Sequence, residues 1–206
     1  MVAKLTEQEK QKISSAIMEA EKLTGAEIAV AVTNASDGYI SFAIVIGFML
    51  GSLLSCGVWF FSAITSFPHL FFIQLSSICI FSFVPFLRNA CLLIIPKNMK
   101  HHRASQRAYA EYMAVSRSVP AEVPVILLYI SLAEHYAHII PGRLINEKIA
   151  GKNWDNVINE FTAEIQPASL CDSCINAIRK ISTLLEQDFP ASKSPNYISD
   201  HVIETK

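Results

Sequence analysis

Charge is what this chain of 206 residues has least of. Only 17% of its residues are Asp, Glu, Lys or Arg, against about 25% in an ordinary soluble domain. The formal net charge is −1, which argues against a general nucleic-acid binder, since such proteins need cations to neutralise phosphates. An apolar content of 51% excludes intrinsic disorder. Familiar catalytic signatures are also missing. There is no G-x-x-x-x-G-K-[ST], no G-x-G-x-x-G after a strand, no G-x-S-x-G and no H-E-x-x-H. The common nucleotide-binding, serine-hydrolase and zincin routes therefore have no support.

The shortage of charge is local. Residues 38 to 87 contain no Asp, Glu, Lys or Arg. A bilayer core about 30 Å thick is crossed by roughly 20 apolar helical residues, so the uncharged stretch holds two spans and a tight turn. The first span is expected over residues 39–61 and the second over 70–87, with SAITSFPH between them. Pro68 and His69 suit a turn at a headgroup surface. Trp59, Phe60, Phe61 and Phe67 are placed as interfacial aromatics. The competing reading is a helical pair inside a soluble core, but a domain of this size rarely tolerates so long a run without charge. A cleaved signal peptide fits no better, because the run starts late and an amphipathic helix precedes it.

Basic residues set the expected orientation. The turn has none, whereas Arg88, Lys97, Lys100, Arg103 and Arg107 follow the second span. The positive-inside rule puts both ends of the hairpin, and so both termini, in the cytoplasm. Residues 88–104 form a basic juxtamembrane segment, and Lys97, Lys100, Arg103 and Arg107 are expected at the membrane surface, facing anionic headgroups. Gly47 and Gly51 form a G-x-x-x-G pair. Such small residues permit close helix contact, either between the two spans or in self-association. No ionisable residue lies mid-span, which argues against a pump or channel built on this hairpin alone.

The water-facing parts read as an α/β domain cut in two by the hairpin. Thr6 and Glu9 make a capping-box signature, followed by Ile13, Ala16, Ile17, Ala20 and Leu23 at helical spacing. Residues 27–33 (EIAVAVT) form a strand that is apolar on both faces and needs cover on both sides. Beyond the hairpin, residues 105–118 read as a helix, 123–131 (VPVILLYIS) as a central strand, and 136–140 as a third strand closed by Pro141-Gly142. Leu144 to Ile149 read as helical turns. A helix is expected around Trp154, Val157, Ile158, Phe161 and Ile165. Ser169 and Asp172 cap a last one, whose core face is Cys174, Ile178, Ile181 and Leu185. Segments 1–38 and 105–190 are thus expected to co-fold, with at least part of the sheet parallel. Residues 191–206 are left as a polar, mobile tail.

On AIMEAEKLTGAEIAVAV (16–32), LRNACLLIIPK (87–97), ILLYISLAEHYAHII (126–140) and WDNVINEFTAEI (154–165), the chain resembles the TPM domain family. Within it, the resemblance is to bacterial membrane proteins that carry a two-helix transmembrane insertion. The family's Thr-Gly pair before the second strand is replaced here by Pro124 and Val125. The resemblance implies a TPM-like α/β sandwich interrupted by a transmembrane helical hairpin, in the bacterial inner membrane. It also implies a mixed functional range: upkeep of membrane protein complexes, receptor modulation, and in some plant members phosphatase activity with divalent metal binding. Those activities belong to branches rich in loop aspartates, of which this sequence has few.

Acid–base or metal chemistry needs clustered Asp, Glu or His. Near the strand ends stand Asp37, Glu122, Glu134, His135 and His138. Open α/β sheets bind ligands beyond the carboxyl ends of their strands, which makes Asp37 and Glu134 the candidates for a site. Their plainer reading is turn chemistry at Asp37-Gly38 and a solvated turn residue at Glu134. His135 and His138, three apart on a strand, point to opposite faces. The C-x-x-C pair Cys171–Cys174 lacks the second pair or histidines of a zinc site, so Cys174 is expected in the core. The resulting expectation is a membrane-anchored, non-catalytic interaction module with a membrane-protein partner and no cofactor. The alternatives are a phosphatase-like hydrolase using a divalent metal, and an accessory subunit of a transporter or lipid-handling complex.

Overall fold

The structure is a computed structural model and describes residues 5–61, 67–84, 92–149, 154, 158–159, 170–191, 197–198 and 202–205. The chain forms two compact units. One comprises residues 1–36 and 101–206, the other residues 37–100. Most of the helix expected over 154–165, the Ser169 cap, Arg88 and residues 62–66 of the turn lie outside the described residues.

The first unit is a mixed α/β domain. Helix α1 (Glu7–Leu23) starts where the sequence places it: the Thr6 hydroxyl accepts from the Glu9 N–H at 3.3 Å, and the Glu9 carboxylate accepts from the Thr6 N–H at 2.8 Å. Strand β1 (Glu27–Thr33) is buried throughout, as is β2 (Val125–Ser131). They pair in parallel from Glu27 opposite Val125 to Thr33 opposite Ser131. Strand β3 (Tyr136–Pro141) runs antiparallel to β2. The order across the sheet is β3-β2-β1-β4, with β4 (Ile203–Thr205) parallel to β1.

Alternation along β1 and β2 builds two cores. Ile28, Val30, Ile126, Leu128 and Ile130 pack with Ile13 and Ile17 of α1, and with Cys174, Ile178 and Ile181 of the C-terminal helix Leu170–Glu186. Ala29, Ala31, Leu127 and Tyr129 face the other way, toward Ala108 and Val115 of the helix Lys97–Ser116. Cover on both faces is what two-sided apolar strands require. In chain order these helices are α4 (Lys97–Ser116), the short α5 (Arg143–Lys148) and α6 (Leu170–Glu186).

Two boundaries differ from the sequence reading. Helix α4 starts at Lys97 rather than 105, because no proline or glycine interrupts the run between Pro96 and Ser116. The basic segment is thus largely helix. The expected mobile tail also gives up three residues to the sheet. Glu27, 6% exposed, accepts hydrogen bonds from the backbone N–H groups of Tyr197 (3.3 Å) and Ile198 (3.1 Å), and Ile198 is buried.

The second unit contains α2 (Ile40–Phe61) and α3 (Phe67–Phe83), packed antiparallel. Pro68 and His69 sit in the first turn of α3 instead of in the connection; proline is tolerated there because the first N–H groups have no helical partner. A Cβ on Gly47 would lie 3.0 Å from the Ile78 Cα, and one on Gly51 would lie 3.0 Å from the Ser77 Cβ. Polar groups stitch the same seam. The Ser77 hydroxyl donates to the Gly47 carbonyl at 2.9 Å, the Gln74 amide to the Phe48 carbonyl at 2.9 Å, and the Ser52 hydroxyl to Gln74 Oε1 at 3.2 Å. Gly47 and Gly51 are therefore engaged within the hairpin. Self-association through them would have to displace α3.

Candidate functional site

The parallel register sets the exits of β1 and β2 side by side, with Thr33 opposite Ser131. Two backbone bonds extend the pairing past the strands, from Leu132 N–H to the Thr33 carbonyl (3.1 Å) and from Ala133 N–H to the Asn34 carbonyl (2.9 Å). Glu134 lies in the turn that follows. It is not solvated: it is 3% exposed. Burying a carboxylate is costly unless donors surround it, and they do. One oxygen accepts from the Ser36 N–H at 3.0 Å, the other from the Ser131 hydroxyl.

Hydroxyls continue the chain of bonds. The Ser36 hydroxyl donates to Ser131 Oγ at 2.8 Å and lies 2.9 Å from the Tyr129 hydroxyl. Burial pushes the Tyr129 phenol up, with the negative charge of Glu134 acting in the same direction. The Ser36 hydrogen bond and the Arg107 guanidinium pull it down. Buried Tyr129, Ser131 and Glu134 and half-buried Ser36 thus form a set in which hydroxyls satisfy one another and end on a carboxylate. It ties the chain leaving β1 to the turn leaving β2.

Asp37 falls in the hairpin unit. Its carboxylate accepts from the Tyr39 N–H at 3.3 Å, the local turn bond anticipated for Asp37-Gly38. His135 is exposed and occupies the turn at φ 48°, so it is not on a strand. His138 is on β3, within 6.2 Å of the Tyr109 ring and 6.0 Å of the Tyr136 ring. Among the described residues no group of three or more His, Cys, Asp or Glu is placed to hold a metal ion.

Both cysteines of the C-x-x-C pair are buried on α6. Burial pushes the Cys174 thiol up to about 12, with Cys171 adding to it. Cys171 is raised too, by burial and then by Asp172 and Glu9. Both are protonated packing residues at neutral pH, not reactive thiolates.

The four basic residues expected at a membrane surface divide. Lys97 is exposed, Lys100 donates to the Leu92 carbonyl at 3.2 Å, and Arg103 is half-buried. Arg107 pairs with Glu111 at 2.9 Å, so its charge is already matched within the helix. At the other end of the sheet a cleft of about 150 Å³ is lined by Tyr112, Ser116, Val125, Gly142, Arg143 and Leu144. Gly142 is required there, since a Cβ would lie 2.7 Å from the Val125 carbonyl oxygen. Neither this cleft nor the roles of Ser36, Ser131 and Tyr129 was read from the sequence. The one available signal was Ser131 three residues before Glu134 in a turn.

No family model matches the chain, and no curated protein matches it significantly. Among solved structures, it is similar to the NMR structure of the BA42 protein from the psychrophilic bacterium Bizionia argentinensis. The two are 15% identical with a TM-score of 0.59, over 98% of this chain and 95% of that one. The likeness shows the fold, a mixed α/β architecture.

Proposed function

We propose that this chain is an integral membrane protein of the TPM domain type, whose α/β domain is a non-catalytic interaction module for a membrane protein complex. The observation that carries the reading is the surface of α2. This helix has 22 residues and is long and apolar enough to cross a membrane, yet only 11% of its most apolar stretch is buried. A core helix of a soluble protein would be mostly buried. Here Leu53, Leu54, Trp59, Phe60 and Phe61 are all more than half exposed, which water would oppose. Helix α3, with 17 residues, covers about 26 Å. Its contacts with α2 run through Gly, Ser and Gln, as in helices that pack inside lipid. Both spans, with both termini in the cytoplasm of a bacterial inner membrane, complete the proposal.

The donors around Glu134 weigh against a metal-dependent phosphatase using Asp37 and Glu134, because a metal would have to displace them. Reporter fusions after residue 66 and at the C-terminus test the topology. They are expected on opposite sides, and the same side for both refutes the hairpin. Crosslinking before purification in mild detergent is expected to retain a second membrane protein. Metal-dependent phosphate release that vanishes in Asp37→Ala and Glu134→Ala would replace the module with the hydrolase. Reconstituted transport that depends on the chain would make it a transporter subunit.

A further inference from the structure

The cleft of about 150 Å³ lies between the last turns of α4, the segment 119–123 and the start of α5. All of its lining residues belong to the α/β unit. Tyr112 is half-buried and packs against the core that holds Ala108 and Val115. A Cβ on Gly142 would lie 3.0 Å from the Tyr112 hydroxyl oxygen, so glycine at that position leaves the hydroxyl open to the cleft. Gly142 is itself fixed, since its N–H donates to the Val125 carbonyl at 2.7 Å. Among the described residues the Tyr112 hydroxyl has no hydrogen-bond partner. Burial raises the phenol, which keeps it protonated and able to donate at neutral pH.

Arg143 supplies the one charge in the lining. Its side chain is 74% exposed, and its ion pair with Glu147 is long, at 3.7 Å. That exceeds a hydrogen bond, so the guanidinium keeps donors for another anion. Val119, Val123 and Leu144 make much of the remaining wall apolar, and no acidic residue lines it. From these donors and apolar walls we infer that the cleft binds a carboxylate carried on a short branched aliphatic chain. Arg143 and Tyr112 donate to the carboxylate oxygens, and Val119, Val123 and Leu144 cover the chain. Size sets the first limit. Sites for whole small molecules start at about 300 Å³, so this one takes an end group. Charge sets the second. One guanidinium and one phenol match a monoanion, whereas a phosphate dianion brings more oxygens than these donors serve and meets apolar walls that cannot solvate it. A free acid and the C-terminal residue of a polypeptide share this chemistry. The inference concerns the α/β domain alone and does not depend on the membrane reading.

The test uses the full chain in mild-detergent micelles, with isotope-labelled tyrosine observed by NMR and the Tyr112 signal assigned by its loss in Tyr112→Phe. Isovalerate, a branched short-chain monocarboxylate, is titrated at neutral pH and constant ionic strength. The Tyr112 signal is expected to shift saturably at millimolar concentration. Isovaleramide, of the same shape without the charge, should bind about tenfold more weakly. Arg143→Gln, at an exposed position that folding does not depend on, should weaken isovalerate by about tenfold as well. A glycine-rich peptide ending in valine is then titrated as its free acid and as its C-terminal amide. A free-acid peptide that binds tighter than isovalerate, with the amide lost, supports the inference and makes a polypeptide terminus the source. A peptide that binds more weakly than isovalerate supports it with a free acid as the source. Three results overturn it: no saturable shift with isovalerate or the free-acid peptide, equal affinity for isovalerate and isovaleramide, or isovalerate binding unchanged in Arg143→Gln.

Discussion

The Ser36 backbone N–H donates to the Glu134 carboxylate at 3.0 Å, joining residues 98 positions apart in the chain. The bond holds the exit of β1 to the turn after β2, and the Ser131 hydroxyl holds the other carboxylate oxygen. Removing the carboxylate leaves one buried and one half-buried donor without their acceptor. Glu134→Ala is expected to lower stability by about 3 kcal/mol, and Glu134→Gln, which keeps one acceptor, by about 1 kcal/mol. Thermal unfolding in detergent reads both. Equal midpoints for the wild type and Glu134→Ala would show that the carboxylate contributes nothing.

Backbone pattern made most of this fold legible. Val30, Leu128 and their neighbours announce central strands because they are apolar on both faces, and Thr6 with Glu9 announces the start of α1. Cys174, Ile178, Ile181 and Leu185 lie on one buried face, as their spacing requires. The polar set was not legible. Its hydroxyls come from a strand, a loop and a turn, and a sequence does not show that Glu134 is enclosed. Strand β4 was hidden for another reason. Three residues in a polar tail carry no periodicity, and backbone pairing with β1 places them. At Gly47 and Gly51 the motif was plain and its partner was not, since close packing within a hairpin and between chains need the same small residues.

The hairpin seam gives a direct steric prediction. A Cβ at Gly47 meets Ile78 Cα at 3.0 Å and the Ser77 carbonyl oxygen at 3.1 Å, both backbone atoms. Those cannot swing aside as a side chain can. Gly47→Leu is expected to force α2 and α3 apart and to cost about 2 kcal/mol or more. A disulfide between Ser52→Cys and Gln74→Cys, whose side chains touch in the wild type, should form readily alone and poorly with Gly47→Leu added. Undiminished crosslinking would mean that the helices do not meet at Gly47.

Glu27 makes the C-terminal segment part of the domain. Its buried carboxylate accepts from the Tyr197 and Ile198 N–H groups. Deleting residues 197–206 removes β4, Ile198 and both donors, and is expected to cost about 3 kcal/mol. Glu27→Gln should lessen the damage of the deletion while destabilising the full-length chain, because the harm lies in an unmatched buried charge. The four unfolding midpoints form a double-mutant cycle. Strictly additive losses would show that the tail and Glu27 act independently.

Alkali should loosen the domain from inside. Burial holds the Cys174 thiol up to about 12, against about 8.5 in an unfolded chain. The native state thus keeps a proton that the unfolded state releases. This contribution to stability is whole below the unfolded value and is lost as pH rises toward the folded one. Tyr129 acts in the same sense from about pH 10 upward, since burial raises it as well. The unfolding midpoint of the wild type is expected to fall steadily above pH 8.5 or so. Cys174→Ala starts lower, having lost packing, but should fall less steeply between there and the onset of tyrosine titration. Parallel pH profiles for the two proteins would show that the thiol is not carried into the core in its protonated form.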